Sequence, residues 1–260
     1  MNRLRKKSEI FFYVLIRSWR AFEFFDRCVG SVLNQTYKNF KILFVDDHSN
    51  YTISQKNYIK NKLANHIVCF NKKRFFSVRN AFIMIHKYAK GDDSVVVNLD
   101  GDDWFFDKNT LSCLAETYRR SGCLLTWGES VFWDGAKFSK PSRFLKPYTN
   151  TAYPKGVIEE NSYRKYPFLP LHPRTWRVWL FKKIKKEDLL REDGSWIEFV
   201  EDQAIFYPML EMASGKFKVI KKPLYVYNIA TGQSDLNKNL LEFLKDELIV
   251  RKKQPNEPLP

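Results

Sequence analysis

Residues 94–106 read Ser-Val-Val-Val-Asn-Leu-Asp-Gly-Asp-Asp-Trp-Phe-Phe. Val95, Val96, Val97 and Leu99 form an apolar run of strand length, too short for a typical helix and too apolar for a solvated edge. The run empties into Asp100, Asp102 and Asp103. Carboxylates massed at the end of a buried strand repel one another, and a divalent cation relieves that repulsion. Hard oxygen ligands suit Mg²⁺ or Mn²⁺, ions that commonly share their coordination with substrate phosphates. The competing reading is a solvated loop whose aspartates cap a helix starting near Asp107.

Outward from this stretch the pattern alternates. Residues 10–16, 40–45 and 66–70 read as strands, and 21–33, 51–64 and 78–89 as helices between them. Downstream, 110–119 reads as a helix and 123–127 as a fifth strand. Repeated βαβ units imply a parallel sheet with helices on both faces, an α/β, Rossmann-like open sheet. Residues 134–174 lose periodicity, as an irregular lobe or lid would. Order returns at 176–184, in a helix over 202–212 and in a strand over 224–227. From residue 236, Leu240, Leu241, Leu244 and Leu248 mark an amphipathic helix that leads into a disordered Pro-rich end. Its leucine stripe either packs on the body of the protein or, with Lys238, Lys245 and Arg251 nearby, meets an anionic membrane.

Charge and cysteines narrow the class. Lys+Arg 44 against Asp+Glu 29 gives +15, which predicts attraction to polyanions or an anionic membrane face. The cations fall in short clusters such as Lys72-Lys73-Arg74, Lys182-Lys183 and Lys221-Lys222. No long basic run reads as a nucleic-acid arm, so no nucleic-acid partner is expected. Cys28, Cys69, Cys113 and Cys123 form no C-x-x-C pair, which argues against zinc and disulfides and for a reducing, cytoplasmic setting. The apolar run at 10–16 is far too short for a membrane span.

Three polar clusters share one address. Arg17-Ser18-Trp19-Arg20 follows the first strand, Asp46-Asp47 the second and Asp100–Asp103 the fourth. Ligands of open parallel sheets bind outside the carboxyl ends of the strands. The clusters therefore predict a ligand site, acidic enough to need a metal or a cationic partner.

The residues that carry these clusters resemble family 2 glycosyltransferases of the GT-A fold. Residues 28–49, from Cys28-Val29-Gly30-Ser31-Val32-Leu33-Asn34-Gln35-Thr36-Tyr37 to Asp46-Asp47-His48-Ser49, follow that family's opening motif. Val78-Arg79-Asn80 is similar to its "ARN" element, Leu99–Asp103 to its "LDADD" metal motif, and Glu201-Asp202 to its acidic "ED" pair. The resemblance covers roughly residues 10–230. It implies a metal-dependent, inverting transferase that moves a sugar from a nucleotide-sugar, a UDP-sugar first, to a hydroxyl acceptor such as a glycan. It makes residues 8–235 one catalytic domain, with a nucleotide-binding half at 8–127 and an acceptor-side half at 128–235, followed by a helix and tail at 236–260.

The resemblance also implies roles. Ser18, Trp19, Asp46, Asp47, Arg79, Asp100 and Asp102 would hold the nucleotide-sugar. Trp19 would stack on the base, Asp46 or Asp47 would accept its N–H, and Arg79 would balance the charge. Asp102 would contact the ribose or the metal, and Asp103 would ligate Mn²⁺ or Mg²⁺ on the diphosphate. Asp202 would be the general base. His172 is either a site residue or a structural histidine.

The chain departs from the family in three places. Arg17–Arg20 replaces the usual Pro-Thr-Tyr-Asn, Asn71–Phe76 replaces a Gly-rich approach to the Arg-Asn pair, and Tyr227-Asn228-Ile229-Ala230 replaces a late "YRxH". The metal-completing histidine is absent, leaving Asp235, water or the diphosphate for that position. A rival reading follows: an inactive GT-A-like binding module recruited to polyanions or to a membrane.

Overall fold

The first four strands run as a parallel array in the order β3-β2-β1-β4. They are β1 (Phe12–Ser18), β2 (Phe40–Asp46), β3 (Ile67–Phe70) and β4 (Val95–Asp100). The computed structural model describes residues 9–140, 151–231 and 239–260. Between these strands lie α1 (Phe25–Leu33), α2 (Ile53–Lys62) and α3 (Phe76–Tyr88). Alternation along the strands builds two cores. Phe12, Val14, Ile16, Val95, Val97 and Leu99 face one side, where α1 and α4 (Thr110–Ser121) cover them. Leu15, Leu43, Val45 and Val96 face the other, beneath α3 and α7 (Glu201–Ala213). Both faces of the sheet are thus buried, which is why the strand residues carry almost no polar alternation.

The second half of the sheet differs from a continued βαβ series. The expected fifth strand is β6 (Leu125–Trp133), but it does not pair with β4. Between them lies β8 (Thr175–Arg177), antiparallel to both, with Trp176 opposite Val96 and Leu125. A 41-residue connection from β6 leaves β8 free to return in either direction, whereas a short crossover would not. The Thr175 hydroxyl fixes the strand, lying 2.8 Å from the Tyr118 hydroxyl and 2.7 Å from that of Thr126 in a buried cluster. The ordered segment expected over 176–184 therefore splits into β8 and α6 (Val178–Lys182). The sheet is completed by β9 (Phe217–Asn228), parallel to β6, and by β5 (Trp104–Phe105), antiparallel to β9. The short β7 (Phe138–Ser139) pairs with β6, and α5 (Lys155–Glu159) precedes β8.

The tail is docked, contrary to the disordered end expected. Arg164 is buried between Glu211 of α7 and the Val250 carbonyl of α8 (Leu240–Lys252). Asn256 N–H donates to the same Glu211 at 2.9 Å, and Leu259 N–H to the Met212 carbonyl at 2.9 Å. The face of α8 turned inward is not the leucine stripe. Asp246 and Val250 are buried, with Arg191 chelating the Asp246 carboxylate at 2.7 and 2.9 Å. Leu240, Leu241, Leu244 and Leu248 are all exposed. No helix among the described residues is long and apolar enough to cross a membrane, and all four cysteines are free.

Candidate active site

The ends of β1, β2 and β4 meet in register. Ser18 lies opposite Asp46, and Arg17 opposite Asp100. The last carbonyls of β1 tie down both neighbouring turns: Ser18 O accepts from Asp47 N–H at 2.8 Å, and Arg17 O from Gly101 N–H at 2.9 Å. This approach is so close that a Cβ at Gly101 would lie 2.9 Å from Ser18 Cα. The cleft that results is about 140 Å³, and Ser18, Trp19, Asp47, Asn80, Asp100 and Asp102 are among its lining residues. It is small beside typical ligand pockets of roughly 300–1,000 Å³.

Not all of the expected residues reach this cleft. Asp46 lines a separate cavity of about 280 Å³ with His48, Lys56, Phe70 and Asn71. Its Oδ2 accepts from Ser49 N–H at 3.2 Å, while Oδ1 is buried without a hydrogen bond. Burial pushes its carboxyl above the ordinary range. Asp47 organises the loop that replaces the Gly-rich segment. Its Oδ1 accepts from Asn71 Nδ2 (2.9 Å) and Phe75 N (2.7 Å), and its Oδ2 from Phe76 N (2.9 Å). One of the roughly four acceptor positions of a carboxylate remains.

The cation beside Asp47 is Arg74, not Arg79. Arg74 Nε lies 3.8 Å from Asp47 Oδ2, and its guanidinium stacks 3.7 Å from the centre of the Trp19 ring. Arg79 lies over Phe75 instead, 3.9 Å from the ring centre. On the first turn of α3 its side chain is carried away from the cleft, while Asn80 lines it.

The Asp100–Asp103 turn separates three carboxylates by environment. Burial opposes charge on Asp100, but the Arg17 guanidinium bound to it, with Arg174 nearby, outweighs that and holds the group below the ordinary range. Asp103 is 1% exposed; its Oδ2 accepts from the Tyr225 hydroxyl at 2.7 Å and its Oδ1 from Asn228 N–H at 2.8 Å. Burial, then the charges of Asp102 and Asp100, push Asp103 well above its usual value. Asp102 is the member of the motif that lines the cleft beside Asp100. Asn228 thus engages the motif by its backbone and, through Nδ2, by the Asp102 carbonyl at 3.1 Å.

Among the described residues no group of three His, Cys, Asp or Glu side chains is arranged to hold a metal. Asp235, one candidate for the missing histidine, lies outside the described residues. Among the described residues, the turn offers Asp102 and the Arg17-paired Asp100 at the cleft, with the buried Asp103 behind them. That donor set fits a hard divalent ion completed by substrate oxygens rather than a closed protein cage.

Asp202 stands on the first turn of α7; it does not line the cleft itself, but its neighbour Glu201 pairs with the cleft-lining Arg17. Arg174 Nη1 donates to its Oδ2 at 3.1 Å, and Gln203 N–H to its Oδ1 at 2.9 Å. Arg174 also donates to His172 Nε2 at 3.0 Å. Burial, with Arg174 next, pushes the His172 imidazole down to about 3, so it is a neutral acceptor. Its ring stacks on Tyr225 with centroids 4.6 Å apart. His172 is therefore a link between the Asp103 partner and the Asp202 partner.

Sequence reasoning missed Arg74, Arg174, Tyr225 and the pairing of Arg17. Arg17 donates to Asp100 at 2.8 Å and pairs with Glu201 at 2.7 Å. The only advance signal was an arginine where the family motif carries proline. Backbone strain gathers here too. Five non-glycine residues around the site, Arg20, His48, Asn50, Phe76 and Val200, have φ between 49° and 65°. Such strain persists where the surrounding structure over-determines it, commonly at functional sites.

Residues 13–184 match the description Glycosyl transferase family 2. Among solved structures, S. aureus TarS 1–349 in complex with UDP-GlcNAc superposes with a TM-score of 0.55 at 17% identity, over 84% of this chain and 58% of that one. A mannosyltransferase from Pyrobaculum calidifontis in complex with GDP-Man and Mn²⁺ gives 0.59 at 12% identity, over 94% and 65%. This chain thus spans under two thirds of the length of either structure. No curated protein matches it in sequence. The mixed, mostly parallel sheet flanked by helices is that of the GT-A glycosyltransferases. The chain belongs to glycosyl transferase family 2.

Proposed function

We propose that this glycosyltransferase moves a sugar from a UDP-sugar to a hydroxyl of a glycan acceptor, with inversion. The observation that carries this reading is the pairing of an Asp102-lined cleft at the strand ends with Asp202 on the adjoining helix. The UDP-GlcNAc of the TarS structure supports a uridine donor, and the GDP-Man of the mannosyltransferase makes guanosine the alternative.

Trp19 gives the base a flat, half-buried ring once Arg74, which covers one face at 3.7 Å, gives way. The remaining acceptor position of Asp47 takes the base N–H. Asp102 would hold Mn²⁺ or Mg²⁺ together with the diphosphate, with Asp103 behind it setting the turn. Bound there, the ion supplies Lewis-acid charge for the departing nucleotide. Asp202 takes the acceptor proton; both oxygens accept one hydrogen bond and keep lone pairs for it. A single carboxylate serving as base is the arrangement of direct displacement, which inverts the anomeric centre.

The test is turnover against a panel of UDP- and GDP-sugars, read as nucleotide release, for the wild type and Asp202→Asn. The variant is expected to lose roughly two to four orders of magnitude in transfer, the range of a general base. UDP affinity should persist. Full transfer by Asp202→Asn, or no release from any donor by the wild type, would contradict the reading and favour the inactive module.

A further inference from the structure

Arg17 is the least expected side chain in the site. Its side chain is 5% exposed at the end of β1, with Nη2 2.8 Å from Asp100 and Nη1 2.7 Å from Glu201. Those carboxylates belong to the two working parts of the proposed reaction. Asp100 opens the turn that carries Asp102, and Glu201 precedes Asp202 at the start of α7. One buried guanidinium therefore joins the donor side to the base-bearing helix.

The start of α7 needs such a joint. No side chain caps it, and Val200 before it sits at φ 49°, ψ 35°. A β-branched residue in the left-handed region is strained, and it stays there only when neighbours hold it. The two residues that follow are each held by an arginine, Glu201 by Arg17 and Asp202 by Arg174. A guanidinium spreads its charge over a planar fork that can touch two carboxylates at once, here as a hydrogen bond from Nη2 to Asp100 and a close ion pair of Nη1 with Glu201 outside hydrogen-bond geometry; an ammonium is a point charge without that span.

We propose that Arg17 is a positioning residue: through Glu201 it sets the first turn of α7, and hence Asp202, against the Asp100–Asp103 turn that holds the donor. This rests on the reading of Asp202 as the base. The fork replaces a rigid backbone proline of the family motif by a side-chain tie between β1, β4 and α7. The geometry of proton transfer then depends on a charge pair rather than on the strand end alone.

The test compares Arg17→Lys, Glu201→Gln and the double variant in the full chain, with Asp202→Asn as reference. Melting temperature, UDP affinity by calorimetry, and kcat from UDP release by a donor taken from the panel are measured on each. Arg17→Lys and Glu201→Gln should each lose roughly 10- to 100-fold in kcat, the scale of a misplacement near 1 Å. UDP affinity should stay within about threefold, because the loss is one of positioning and not of donor binding. The double variant should lose no more than about the larger single loss, since the two residues act as one unit.

Wild-type kcat in folded Arg17→Lys would overturn the proposal. So would an equal loss of UDP affinity, which would make Arg17 a donor contact, or losses that multiply in the double variant. If Arg17→Lys fails to fold, Glu201→Gln, a near-isosteric change, carries the same reading alone. Wild-type turnover by Asp202→Asn would refute the base assignment separately, whatever Arg17→Lys does.

Discussion

The chain has two Asp-Asp turns, on either side of β1, and their charge is answered differently. At the end of β2, Asp47 is bound by two backbone amides and Asn71, with Arg74 alongside. At the end of β4, Asp103 accepts from the neutral donors Tyr225 and Asn228, and burial, then the like charges beside it, push its proton affinity up. The first turn is balanced by its own chain. In the second, Arg17 pairs with Asp100, while Asp102 at the cleft and the buried Asp103 still crowd each other, and that is where a cation brought with a substrate would relieve repulsion. Two motifs that look alike in one dimension thus differ: Asp47 is held mainly by its own chain, and the β4 turn is where we propose that a cation binds.

That contrast can be broken by substituting one carboxylate in each turn. Asp102→Asn is expected to lose at least about 1000-fold in turnover, the several kcal/mol of a lost metal contact. Its melting temperature should hold, because an amide there reduces crowding. Asp47→Ala should do more damage to the fold. It strands the half-buried N–H groups of Asn71, Phe75 and Phe76, and a donor left unsatisfied away from water costs up to about 1–3 kcal/mol. A loss near 3 kcal/mol corresponds to a Tm lower by roughly 6–12 °C in a protein of this size. Thermal melts of the two variants decide; equal destabilisation would erase the distinction.

A smaller effect sharpens the same picture from the side of the base. Trp19→Ala should weaken UDP binding by roughly 10- to 100-fold, the worth of one stacked base, with little change in kcat at saturation. Unchanged UDP affinity would place the base elsewhere, and the Asp46 cavity would become the alternative.

Much of this was legible in the chain, and the remainder has physical reasons for being hidden. The strand ends were readable because β-branched runs stop abruptly at polar clusters, and open sheets bind ligands there. Which carboxylate faces the cleft was not, because consecutive strand residues point to opposite faces. Asp46 and Asp47 accordingly line different cavities. The cation expected at Arg79 is supplied by Arg74, since a helix residue one turn on is rotated off the site. Three residues carry too little periodicity to announce β8. The stripe on α8 was plain, but its orientation follows from a long-range pair, Arg191 with Asp246, that no local pattern encodes.

The central claim, that the β4 turn and not the β2 turn takes a cation with the donor, has one direct test. UDP is titrated by calorimetry into the full chain and into Asp102→Asn, each with Mn²⁺ and with EDTA. In the wild type, Mn²⁺ should tighten UDP binding by about tenfold or more, ~1.4 kcal/mol, and Asp102→Asn should bind UDP equally in both buffers. UDP binding by the wild type that ignores Mn²⁺, or a Mn²⁺ effect that survives Asp102→Asn, would contradict the account.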